Sequence, residues 1–60
     1  MLKKGDLLVI ADESHILWDF EVESVNQYNR TVTGFLIKDG KRFGNRRTVS
    51  DYQIQAVNEQ

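Results

Sequence analysis

From Trp18 to Glu23 apolar and acidic residues alternate without a break: Trp18, Phe20 and Val22 fall on one side, Asp19, Glu21 and Glu23 on the other. A period of two is the signature of a strand with one buried and one wet face. At Ser24-Val25 the parity slips, which predicts a bulge or a bend. Asn26-Gln27-Tyr28-Asn29 reads as a turn, because asparagine tolerates left-handed backbone. Thr31-Val32-Thr33-Gly34-Phe35-Leu36-Ile37 is β-branched and aromatic, a second strand. Gly34 inside it marks a strong bend or the close approach of another backbone. Asp39-Gly40 fits a type I′ turn, pairing Phe35–Lys38 with Lys41–Val49. Ser50-Asp51 begins a helical or 3₁₀ turn with the serine as cap. Ile54-Gln55-Ala56-Val57 closes the order, ahead of a tail, Asn58-Glu59-Gln60.

The expected architecture is therefore all-β, a small five-stranded barrel of SH3-like type with one 3₁₀ or helical turn before the last strand. Residues 1–60 form one domain. The expected core is Leu8, Ile10, Trp18, Phe20, Val22, Val32, Leu36, Val49 and Ile54. Sixty residues bury only about 60% of their unfolded surface, and small scaffolds usually need a staple. The chain has no cysteine and one histidine, His15, so neither a disulfide nor an ordinary zinc site is expected. It folds unaided or self-associates, and a homo-oligomer is among the expected partners.

The longest apolar run, Leu7 to Ala11, is far short of the roughly 20 residues that cross a membrane. The two lysines near the start precede no cleavage pattern. No membrane partner is expected, and the cytoplasm is the expected location. Net charge is −1, split unevenly. Residues 1–37 hold three basic and six acidic groups; residues 38–60 hold five basic and three acidic. Such a split points to two differently charged faces.

Catalysis finds little support. His15 follows Asp12, Glu13 and Ser14 in the long loop, but a serine beside its histidine in sequence rarely aligns with it, and neither a phosphate loop nor a nucleophile elbow is present. Asp19, Glu21 and Glu23 share a flat strand face, whereas hard cations draw ligands from curved loops. No enzyme activity, cofactor or metal is expected.

Binding finds more. Lys38, Lys41, Arg42, Arg46 and Arg47 cluster around Phe43, a combination that holds phosphates and stacks on bases. RNA or DNA is the first expected partner. Alternatively these cations pair across strands with Asp19, Glu21 and Glu23 and the patch is silent. Trp18 is a core residue or, beside the long loop, part of a ligand surface. Tyr28, which no pattern buries, suits an interface. A protein-interaction module using Trp18, Tyr28, the long loop and the acidic strand is the second expectation. Free-standing domains of this size are frequent in phage genomes, where they bind host proteins.

The element order, with Gly5-Asp6 opening the first strand, Trp18 starting the second, then Lys38-Asp39-Gly40, Phe43-Gly44-Asn45, Thr48-Val49 and Ile54, resembles SH3-like barrels of Tudor and KOW type over nearly the whole chain. The resemblance implies RNA contacts through the basic hairpin. Tudor domains cage methylated side chains with three or four aromatics. Trp18 and Phe43 supply two at most here, so the resemblance does not extend to methyl-ligand binding.

Overall fold

A computed structural model describes residues 2–58; the rest of the expected tail, 59–60, lies outside the described residues. Five antiparallel strands follow the chain: β1 (Leu7–Ala11), β2 (Leu17–Asn26), β3 (Thr31–Lys38), β4 (Lys41–Ser50) and β5 (Ile54–Asn58), with a 3₁₀ turn at Asp51–Gln53 before β5. The sheet order is β4-β3-β2-β1-β5. Its two edges, β4 and β5, share no ladder among the described residues, so the sheet curls round a core as an SH3-like barrel that stays open along one seam.

Registry explains the core. Phe20 stands opposite Leu8 on one neighbour and Leu36 on the other, and all three are buried with Ile10, Val22, Val32 and Val49. Of the nine expected core residues, these seven are buried, while Trp18 and Ile54 pack at the margin together with Leu2 and Val25. Val25 reaches the core because the parity slip is a true register shift, between Val22 and Ser24. The shift returns an odd-numbered residue to the inner face, opposite buried Val32.

Gly34 is the close approach that its position predicted. A methyl group there would run into the carbonyl oxygen of Glu21 and lie 2.9 Å from the ring of Phe20. Only a residue without a side chain lets β3 cross β2 so tightly. Immediately beyond it, Gly34 faces Arg47 while Leu36 faces Phe43. The three residues 44–46 therefore stand against Phe35 alone, and Gly44 takes a φ of 77°.

The connections are built as the residues dictate. Asp39 and Gly40 both have positive φ, 53° and 77°, as a type I′ turn requires. In the β2–β3 turn Asn26 Oδ1 accepts the Asn29 N–H at 3.0 Å. At the 3₁₀ turn the Gln53 side chain reaches back, its Oε1 accepting the Ser50 N–H at 3.0 Å, while its Nε2 donates to the Ala11 carbonyl at 3.2 Å. Gln53 thereby staples the turn to the end of β1.

Phe20→Ala is expected to cost about 3–5 kcal/mol, against a total stability of roughly 3–9 kcal/mol for sixty residues. Gly34→Ala is expected to be comparably damaging through displaced backbone rather than a cavity. Thermal melts followed by circular dichroism check both. A Gly34→Ala protein that melts with the wild type would show that β3 does not depend on that contact.

Candidate functional site

The β1–β2 loop is organised by one carboxylate. Asp12 Oδ1 accepts the backbone N–H groups of Ser14 at 2.8 Å and Ile16 at 2.9 Å, and its Oδ2 accepts the indole N–H of Trp18 at 3.0 Å. Backbone bonds close the same loop, from Asp12 N–H to the Ile16 carbonyl and from His15 N–H to the Asp12 carbonyl. The bond from Trp18, then those from the Ile16 and Ser14 amides, hold the Asp12 carboxyl below the ordinary aspartate value. Hydrogen bonds to a carboxylate favour its charged form.

So held, Trp18 is half-buried and lies against Phe43, with ring centroids 5.5 Å apart and planes 20° from parallel. Two aromatics separated by twenty-five positions are thus brought together at one end of the sheet. The Lys38 ammonium sits 5.2 Å from the Phe43 centroid, a cation–π contact within the chain. Tyr28 is elsewhere. It is almost fully exposed in the β2–β3 turn, beyond the opposite end of β2 from Trp18.

The basic hairpin divides into three parts. Arg42 Nε donates to Glu21 Oε1 at 3.0 Å, and Arg46 grips Glu23 with both Nε, at 2.6 Å, and a terminal nitrogen, at 3.0 Å. Both guanidinium groups also lie over the ring of Phe35, at 4.2 and 5.4 Å. The bond from Arg46 holds the Glu23 carboxyl low and raises Arg46 in turn. Cross-strand pairing with the acidic face, weighed from the sequence as the alternative to phosphate binding, is therefore realised for Arg42 and Arg46 and not for Asp19. Lys38 rests on Phe43. Lys41 and Arg47 make no ion pair among the described residues.

Arg47 instead borders a cleft of about 480 Å³ between β4 and the β1–β2 loop. Ile10, Leu36 and Val49 form its apolar floor. Asp12, Glu13 and Ser14 make one wall, Arg47 and Thr48 the other, and Gln53 closes an end. A smaller hollow of about 310 Å³ adjoins it, between the loop at Asp12, Glu13 and His15 and the 3₁₀ turn at Tyr52 and Gln53. Tyr52 is 80% exposed there. Neither Tyr52 nor Gln53 stands out in the sequence, since one turn of 3₁₀ helix leaves no periodicity. The only available signal was that Ser50-Asp51 starts a turn which must return to β1. Among the described residues no group of three potential ligands could hold a metal ion, and no helix is long and apolar enough to cross a membrane.

Two expectations follow from this geometry. Since folding lowers the Asp12 pKa, its contribution is present above the unfolded value near 3.8 and is lost as pH falls through the folded one. The acid limb of a melting-temperature profile, and the acid change in Trp18 fluorescence, are expected to flatten in Asp12→Ala; an unaltered profile would refute the clamp. Arg46→Ala is expected to lower the melting temperature at low salt, by less as salt screens the pair. Arg47→Ala is expected to leave it unchanged, and differential scanning calorimetry compares the two.

Comparison with family models, curated proteins and solved structures gives no significant match for this chain.

Proposed function

We propose that this domain is a non-catalytic binding module which holds an extended segment of a partner protein in the cleft between the β1–β2 loop and β4. The observation that carries the proposal is the cleft itself, with polar residues of the β1–β2 loop and β4 around an apolar base of Ile10, Leu36 and Val49. Concave sites that set a few polar groups around an apolar base are the usual places where ligands bind. Backbone and side-chain donors and acceptors on both walls suit a peptide, whose own main chain must be satisfied along its length. Tyr52, beside the entrance, adds a large amphipathic surface of the sort favoured at interfaces.

A second reading keeps the basic hairpin as a nucleic-acid surface, with Lys38, Lys41 and Arg47 on phosphates and the Trp18–Phe43 pair as a stacking platform. This is the reading that kinship with Tudor or KOW modules would favour. The ion pairs of Arg42 and Arg46 weigh against it, because a phosphate contact there must first break a bond to Glu21 or Glu23.

Nuclear magnetic resonance distinguishes the two. Short peptides selected from a random displayed library are titrated into isotopically labelled protein, and separately a pool of single-stranded RNA and DNA is added at ~50 mM salt. Peptides are expected to move the amide signals of Ile10, Asp12, Ser14, Thr48, Val49 and Gln53. Signals that respond only to nucleic acid, at Lys38, Lys41 and Phe43, would replace the peptide reading with the second one.

A further inference from the structure

Among the hairpin arginines, Arg47 is the exception. Arg42 and Arg46 have glutamates to grip, whereas Arg47 lines a cleft. Across that cleft stands Glu13, which likewise makes no ion pair among the described residues. A guanidinium and a carboxylate thus border one hollow without meeting. Asp12, next to Glu13, is no substitute, since both its oxygens are engaged by Ser14, Ile16 and Trp18. The two unspent charges of opposite sign lie on opposite walls, with Ile10, Leu36 and Val49 between them.

That arrangement gives the cleft a direction. A guanidinium presents a planar fork that matches a carboxylate with two parallel hydrogen bonds. A carboxylate on the other wall attracts an ammonium or guanidinium. Between the walls Ile10, Leu36 and Val49 show only the edges of buried side chains, a small apolar contact that suits one compact aliphatic side chain. A segment lying the other way round meets like charge on both walls and is repelled. We propose that the cleft accepts an extended segment of a partner protein in which a basic and an acidic side chain flank an apolar one, the basic group toward Glu13 and the acidic group toward Arg47. The pair sets which way round the segment lies. This rests on the cleft being the binding site, as proposed above, and adds the chemistry that selects the occupant.

The test is a selection from the displayed random peptide library against four proteins: wild type, Glu13→Lys, Arg47→Glu and the double exchange. Both side chains are exposed, and melting curves establish that every variant is folded. Wild type is expected to enrich peptides that carry both signs of charge around an apolar residue. Glu13→Lys is expected to lose the basic preference and Arg47→Glu the acidic one. Each single exchange is expected to weaken a wild-type peptide about three- to tenfold, with the loss shrinking at high salt. The double exchange is expected to recover most of the affinity for a wild-type peptide that either single exchange loses, with the segment lying the other way round. Peptides that map to the cleft yet show the same charge composition against all four proteins would overturn the proposal and leave the cleft as the binding site. Peptides that map elsewhere, or no enrichment at all, would overturn both.

Discussion

The contact between Gly34 and the Glu21 carbonyl sets the shape of this domain. A sheet of five short strands covers a core only if it bends sharply, and a bend brings backbones closer than side chains allow. At Gly34 nothing intervenes, so β3 closes onto β2 and Phe20 is sealed between Leu8 and Leu36. Two of the three register shifts flank the same region, one in β2 after Val22 and one in β4 opposite Phe35, while the third lies between β1 and β5 at Val9-Ile10. Bulges of this kind increase local twist. Two of the irregularities thus fall beside Gly34, in the middle of β3.

At the cleft, the loops decide what the opening looks like. The β1–β2 loop is rigid for its length because Asp12 satisfies two amides and an indole at once. Gln53 fixes the opposite bank to β1, and the Asp51 N–H ties the 3₁₀ turn to the Arg30 carbonyl at 3.0 Å. The cleft is accordingly framed by groups already held in place, so a ligand need order little of the protein on binding.

Most of the fold was legible in the sequence for identifiable reasons. The alternation from Trp18 to Glu23 marked β2, the Asp-Gly pair marked its turn, and Gly34 marked its close approach, because each depends on residues adjacent in sequence. The closing strand ran one residue further than its pattern, to Asn58. Harder to read were the contacts that join distant residues. Whether Arg42, Arg46 or Arg47 met an acid depended on cross-strand placement, which the two extra residues in the stretch 44–46 opposite Phe35 decide. Phe43 and Trp18 were both visible as aromatics, but only the sheet order places them ring against ring. The cleft was hidden altogether, since it is a gap between elements rather than a property of any one of them.

The open seam also leaves β4 as a ten-residue edge with unpaired backbone. Long bare edges are templates for sheet growth, and natural proteins defend them with charge and with irregular backbone. This edge has both: Lys41, Arg42, Arg46 and Arg47 along it, and the kink at Gly44. Two copies aligned edge to edge would set cation against cation and could not keep step through the kink. Glu21 and Glu23 offset two of those charges from within the chain, so the acidic face of β2 tempers the repulsion while the remaining cations keep copies from zipping together. The residues that draw attention as a binding patch are thus also of the kind that disfavours edge-to-edge strand pairing.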